Sequence, residues 1–300
     1  MKITILGNNS ALPAHDRYPT CQVVQIEGAS IMIDCGEGAQ ILLKKHGISW
    51  RSIRHIFISH LHGDHYFGLP GLLTSMSLLG RTEALVLYAP QALEQILQSI
   101  LAVADTTLSY PLQFVALPEA SALLFDHSQY SLCCFPVEHR IACHGLLLTE
   151  KSKGRKIIPE RCRYYEIPSG YFKQLKVGAD YERKDGFVVQ NDWVTDVAKP
   201  DKRYAYCADS LYTESFLPFI QEVDYLYHES TYLEADVLRA AARFHSTAQQ
   251  AATLALKAKV KHLILGHYSS KYKDIAVFQE EARVIFPNTY ASVEGDEFEF

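Results

Sequence analysis

The sequence lacks any apolar run near the roughly 20 residues that span a bilayer, which excludes a membrane-spanning helix. It has no Cys-x-x-Cys pair, which excludes a zinc ribbon. Its seven cysteines are an odd number in a chain long enough to build a core without disulfides, so most are expected as buried thiols. No leader-like segment opens the chain: Lys2 runs straight into a strand-like Ile3–Leu6, and a cytoplasmic location is expected. A strongly basic balance is also missing. The formal charge is −5, whereas proteins devoted to nucleic acid are often basic overall. No repeat of solenoid length is visible.

The 300 residues, 48% of them hydrophobic, suit a packed core in one large α/β domain or two smaller ones. Strands are expected at Ile3–Leu6, Gln22–Ile26, Ile31–Ile33, Ile56–Ser59 and Leu85–Tyr88, and helices at Ala39–Lys45, Leu69–Leu79 and Ala92–Leu101. The second half repeats the theme, with strands at Ser131–Val137, Tyr204–Cys207, Tyr225–Tyr227 and Leu263–Leu265. Cys133 and Cys134 should face opposite ways in theirs. A helix from about Thr247 to Ala258 is announced twice, because Ser246 with Gln249 and Thr247 with Gln250 both match a capping box.

Between the halves, roughly Lys151 to Pro200, periodicity fades and Gly, Pro, Tyr and charge increase, as in an insertion or projecting arm. Lys151, Lys153, Arg155, Lys156, Arg161 and Arg163 face one acid, Glu160. This run suits either a solvated loop or a local phosphate-binding patch.

The densest chemistry is His60-Leu61-His62-Gly63-Asp64-His65, directly after the strand-like His55-Ile-Phe-Ile-Ser. Imidazole nitrogen and carboxylate oxygen are both good zinc ligands. Gly63 is expected to permit the turn that aims several side chains at one centre. One metal cannot easily use all four groups at this spacing, so two neighbouring ions are expected. Further ligands should come from other strand ends. His139, Asp209 and His267 each follow a strand.

With these residues in view, the sequence resembles the metallo-β-lactamase superfamily and, within it, the ribonuclease Z family, whose members trim the 3′ end of precursor transfer RNA. The resemblance covers nearly the whole chain. It rests on Ile5-Leu6-Gly7, Asp34-Cys35-Gly36-Glu37, the His60–His65 cluster with Gly68-Leu69-Pro70-Gly71-Leu72, and His139. Asp209, His228-Glu229-Ser230-Thr231, His245-Ser246-Thr247 and His267-Tyr268-Ser269-Ser270-Lys271-Tyr272 complete it.

The resemblance implies a four-layer αβ/βα sandwich, one domain over residues 1–300, with an inserted basic arm at 151–185 that grips transfer RNA. It implies two zinc ions per subunit, with manganese as the alternative. His60, His62 and His139 would hold one, and Asp64, His65 and His267 the other. Asp209 would bridge them and Asp34 would support the ligands from behind. It further implies Asp64 as the carboxylate orienting the attacking hydroxide, His245 as general acid, Glu229 as its partner, and Ser269 and Lys271 as phosphate contacts. A homodimer, each arm serving the other subunit, follows from the same likeness.

The chain departs from the family pattern in several places. The loop Pro13–Tyr18 keeps Arg17 of a Pro-x-Lys-x-Arg-Asn motif associated with sensing the transfer RNA 3′ end, but carries His15 and Tyr18 at the Lys and Asn positions. Cys207-Ala208-Asp209-Ser210 stands for Ser-Gly-Asp-Thr, Ser169-Gly170-Tyr171 for the arm's Gly-Pro element, and Lys271 for a more usual Arg. Beside the transfer RNA nuclease stand two rivals. One is a dizinc phosphodiesterase for small or generic diesters. The other is a non-catalytic nucleic-acid-binding protein on a dead hydrolase scaffold.

Overall fold

The computed structural model describes all residues from Met1 to Phe300. Two seven-stranded mixed sheets stack face to face. The first runs in the order Glu297–Glu299, Lys2–Gly7, Cys21–Ile26, Ala29–Ile33, Ile53–Phe57, Leu85–Ala89, Leu112–Ala116. The second runs Thr289–Ala291, His262–Gly266, Tyr225–Glu229, Lys202–Cys207, Cys143–Glu150, Tyr130–Val137, Ala122–Asp126. Successive strand side chains point to opposite faces, and the sequence fills both. Val24, Ile31, Ile33 and Phe57 meet Leu146, Leu148, Tyr204 and Tyr206 in the core between the sheets. Their neighbours Val23, Met32 and Ile56 face outward to the helices Ala39–Lys45, Leu69–Leu78 and Ala92–Val103. On the far side Ala205, Leu226 and Leu263 pack under the helices Ala248–Lys257 and Ala276–Arg283. The result is the four-layer αβ/βα sandwich that the resemblance implied. Six cysteines are buried, and Cys133 is half-buried beside the inward-facing Cys134.

Parallel pairing of Lys202–Cys207, Tyr225–Glu229 and His262–Gly266 brings their carboxy-terminal ends to one edge. Asp209, Glu229 and His267 therefore leave the sheet together. The first sheet delivers His60 from beyond Ile53–Phe57. Backbone seals this edge: the Cys35 amide donates to His65 O at 2.8 Å and the Gly68 amide to Cys35 O at 2.9 Å. A β-carbon on Gly68 would stand 2.1 Å from Gly36 O, so the two loops touch only because that position is bare.

The segment after Glu150 is ordered, although its sequence shows no period. Lys156–Ile157 pairs with Thr195–Asp196 and Tyr181–Glu182 with Val188–Val189. Cys162, Ile167, Leu175, Val189 and Val194 form a separate small core. Strands of two residues leave no alternation to read. Closure through Thr195–Asp196 carries this unit past Asp185, the limit the resemblance implied.

Of the two capping boxes, Thr247 with Gln250 is the one formed, with Thr247 Oγ1 accepting from the Gln250 amide at 3.2 Å and the Gln250 side chain returning to the Thr247 amide at 3.0 Å. Thr247→Ala should cost about 1 kcal/mol, read as a lower urea midpoint at unchanged slope.

Candidate metal centre

Seven side chains converge at the shared edge. Three of the nitrogens that point inward belong to rings whose other nitrogen is engaged outside the cluster. His65 Nδ1 donates to Asp34 Oδ2 at 2.8 Å, His139 Nδ1 to Phe244 O at 2.9 Å, and His267 Nδ1 to Thr231 Oγ1 at 2.9 Å. Each bond leaves Nε2 as the inward lone pair. His60 Nδ1 lies 3.1 Å from Ser59 Oγ, which also leaves its Nε2 inward. His62 Nδ1 sits 3.0 Å from His60 Nε2 and 3.1 Å from His139 Nε2.

The ligand atoms fall into groups that could hold a metal, each within 4.8 Å: His60, His62, His139 with Asp209, and Asp64 with His65 and His267. Asp209 and His267 also group with His245. Asp209 reaches both sides, with Oδ2 3.6 Å from His60 Nε2 and Oδ1 3.1 Å from His267 Nε2.

The charges fit a cation. Burial, with the neighbouring imidazoles adding to it, pushes His60 and His62 below their usual range, and burial does the same to His139, which favours the neutral form that a metal requires. His65 behaves oppositely. Burial opposes its charged form, yet Asp209, Asp64 and Asp34 together outweigh burial and raise it. Burial would raise Asp64 and Asp209 as well, but the surrounding imidazoles hold both below the usual carboxylate range. His65 Nε2 and Asp209 Oδ1 are buried 3.4 Å apart without a hydrogen-bond partner. Buried polar atoms rarely stay unpaired, and a divalent cation between them would satisfy both.

Asp34 stands behind this centre. It takes a left-handed backbone, φ 54°, and accepts from the Ser59 amide, Ser59 Oγ, His65 Nδ1 and Tyr206 Oη. His267 is also left-handed, φ 61°, a conformation that non-glycine residues hold only where packing enforces it. Gly63 serves differently from expectation. Its φ is not positive; instead a β-carbon there would meet the Phe67 ring at 2.2 Å.

Beside the ligands lies a dyad. Glu229 Oε1 accepts from His245 Nδ1 at 2.8 Å, from the Ser246 amide at 3.0 Å and from the Ser210 amide at 3.2 Å. Thr231 Oγ1 donates to Glu229 Oε2 at 2.7 Å. Burial opposes charge on both dyad members. His245 and Glu229 overcome it for one another, so Glu229 is lowered and His245 is pushed up to about 9. His245 of the dyad and five of the candidate ligands, His62, Asp64, His139, Asp209 and His267, line one cavity of about 950 Å³, with His60, His65 and Glu229 buried behind them; Arg140, Arg239, Arg243 and Lys271 add positive charge to it.

Two residues expected at the substrate are engaged elsewhere. Arg17 is 9% exposed, donates to Asn9 Oδ1, Tyr272 O and Lys273 O, and does not line the cavity; it ties the Pro13–Tyr18 loop to the loop after His267. Lys271 lines the cavity, but its ammonium is paired with Asp236. Ser269 lines it too. Sequence reading gave no role to Ser59, Thr231, Arg140 or Phe244. Ser59 sits beside His60 and Thr231 closes the His228–Thr231 motif, whereas Phe244 acts through a backbone carbonyl that no sequence pattern exposes.

This fold and site define a metal-dependent hydrolase of the metallo-β-lactamase kind. The solved structure of the short form of human tRNase Z superposes at a TM-score of 0.72 with 26% identity, covering 100% of this chain and 99% of that one. YhfI of Bacillus subtilis, a metallo-β-lactamase fold protein, matches at a TM-score of 0.71 and 17% identity over 99% of both chains, and bears on the fold alone. A family model described as Anti-Pycsar protein Apyc1 matches residues 1–150. Ribonuclease Z of Parabacteroides distasonis is 42% identical over 98% of this chain and 97% of its own length, and that of Cytophaga hutchinsonii 41% over 99% and 95%. Over its first half the chain belongs to the family of that model, and over its whole length it belongs to the ribonuclease Z family.

Asp34→Asn should lower metal affinity by roughly 10–100-fold with the fold retained. Chelator competition with circular dichroism tests this, and unchanged affinity would remove Asp34 from its supporting role.

Proposed function

We propose that this chain is a zinc-dependent endoribonuclease that removes the 3′ trailer from precursor transfer RNA and leaves a 3′-hydroxyl on the transfer RNA. The observation that carries the reading is that His245, held by Glu229, and five of the seven candidate ligands line one cationic cavity. His60, His62 and His139 would hold one ion and Asp64, His65 and His267 the other, with Asp209 shared. Two zinc ions, or manganese in their place, would supply a nucleophile from water near neutral pH and stabilise charge on the phosphate oxygens.

The chain's own groups do the rest. The Ala11 amide fixes the Asp64 carboxylate by donating to Oδ2 at 2.7 Å, the oxygen that also faces His267 Nε2 at 3.4 Å and His65 Nε2 at 3.6 Å, and Asp64 so held would orient the attacking water. His245 Nδ1 donates to Glu229, so its Nε2 proton is the one delivered to the departing 3′ oxygen. The P–O3′ bond breaks, and the trailer leaves with a 5′-phosphate. Arg140, whose Nη2 now donates to His62 Nε2 at 3.0 Å, is released toward the substrate phosphate once that proton position is needed by the ring itself. Ser269 and Lys271 approach the same phosphate, Lys271 by leaving Asp236.

The arm, 151–185 with its continuation to Asp196, would bind the transfer RNA body through backbone phosphates. In its support, Lys151, Lys153, Arg155, Lys156, Lys176, Lys199 and Lys202 crowd one cavity of about 650 Å³ at its root. A homodimer in which each arm serves the partner's site, and a cytoplasmic location beside the substrate, complete the proposal. No helix is long and apolar enough to cross a membrane.

The wild-type protein should cut a 3′-extended precursor transfer RNA near the discriminator base, and Asp209→Ala should lose cutting together with metal. Hydrolysis of bis(p-nitrophenyl) phosphate without precursor cleavage would instead favour a nuclease-inactive phosphodiesterase. The pH profile tests the dyad. His245 is charged below its raised pKa and loses its proton above it, so activity should fall on the alkaline side, at or below about 9. Glu229→Gln removes the charge that holds the proton and should move that limb to lower pH. An unmoved limb would exclude His245 as the acid.

A further inference from the structure

Most of the residues lining the catalytic cavity are polar, yet two large apolar side chains stand open at the edge nearest Asp64. Phe67 is 65% exposed and Leu12 50% exposed, and both line the cavity. Neither is loose. The Phe67 ring lies against the bare backbone of Gly63, where a β-carbon would stand 2.2 Å from its Cε2, and meets the Tyr66 ring edge-on at 5.0 Å between centroids. Leu12 follows Ala11, whose amide holds Asp64, and Leu12 O accepts from Asn9 Nδ2 at 2.6 Å.

An aromatic ring left in water keeps its hydration cost, so a fixed, open ring at a polar site calls for a flat apolar partner. A nucleobase is such a partner. Every base has a π-face, so stacking on an aromatic side chain tolerates any sequence, and a cationic wall holds the adjoining phosphate. The strand direction follows from the chemistry. His245 and Glu229 come from the second sheet and serve the departing 3′ oxygen, which belongs to the transfer RNA body. Phe67 comes with Asp64 from the first sheet, on the side of the entering oxygen. In an in-line displacement the leaving and entering oxygens lie opposite one another and the retained 5′ oxygen lies off that axis; with the dyad side taken by the transfer RNA body, the nucleotide that keeps the phosphate is left for the Phe67 wall.

We infer that Phe67, with Leu12 at the same edge, is the stacking platform for the base of the first trailer nucleotide, immediately 3′ of the cut. The inference rests on the reading of the site as a precursor transfer RNA nuclease. The role is one of positioning and substrate selection: the platform sets which phosphate meets the centre without touching the bond that breaks.

The test uses the full-length, metal-loaded protein and three precursors: one intact, one abasic immediately 3′ of the cut, and one abasic immediately 5′ of it. Phe67→Ala should keep its metal content and lose about tenfold in kcat/KM on the intact precursor, the size of one base–aromatic stack. Phe67→Trp should restore most of it. On the 3′-abasic precursor wild type should drop to the level of Phe67→Ala, and the variant should lose nothing more. Wild-type activity of Phe67→Ala on the intact precursor overturns the inference. So does a defect that persists undiminished on the 3′-abasic precursor, or one that vanishes on the 5′-abasic precursor instead. If wild type leaves every precursor uncut, the functional reading itself has failed, and that outcome is distinct from the others.

Discussion

The structure turns on a concentration of buried lone pairs and carboxylates that no proton arrangement within the protein fully satisfies. His60, His62 and His139 are held neutral with nitrogens about 3 Å apart, while Asp34, Asp64 and Asp209 crowd His65. Buried charge is tolerated only when it is paired. The fold therefore carries a standing demand for cations at one sheet edge, and much nearby backbone serves to keep the donors aimed there. The left-handed turns at Asp34 and His267 and the bare contact between Gly36 and Gly68 are all enforced by packing around that edge.

The Glu229–His245 dyad is mechanically part of the same centre. Thr231 Oγ1 accepts from His267 and donates to Glu229, so one hydroxyl joins a candidate ligand to the dyad carboxylate. On the other side Phe244, left-handed at φ 58°, turns its carbonyl to His139 while the next residue, His245, turns to Glu229. A bulky residue in that conformation is strained. The strain holds one peptide unit against the candidate ligands and the next against the dyad, so the two groups share a backbone.

The cationic side chains around the cavity are built in less rigidly. Lys271 is paired with Asp236, Arg140 with His62, and Arg239 lies over the Tyr232 ring at 5.7 Å. Such exposed partners exchange cheaply for a phosphate, because surface ion pairs contribute little. Arg17 differs: buried and bonded to backbone carbonyls, it shapes a loop and does not reach the cavity. The arm is likewise a small folded unit with its own core, not a floppy charged loop.

Local pattern carried much of this into the sequence. Dense apolar runs located nine of the fourteen sheet strands to within a few residues, because those strands bury both faces; Leu112–Ala116, Ala122–Asp126, Cys143–Glu150, Thr289–Ala291 and Glu297–Glu299 were missed, most of them short or half-exposed. The helix at Ala39–Lys45 falls where its pattern placed it. The His60–His65 cluster was legible because its members are close in the chain, and Asp209, Glu229, His245 and His267 were legible through short motifs. Three things required the tertiary structure. The closure of the arm by Lys156–Ile157 with Thr195–Asp196 joins segments some forty residues apart through strands too short to show a period. Phe244 contributes through a backbone carbonyl, and Gly63 through the space that the Phe67 ring fills, and residue type reveals neither contact. The direction of Arg17 depends on which carbonyls of the loop after His267 come within reach. Sequence determined which groups could bind and react, since chemistry belongs to residue types and short spacings. Which nitrogen faces inward, and which charge is already taken, was decided only when distant strand ends met.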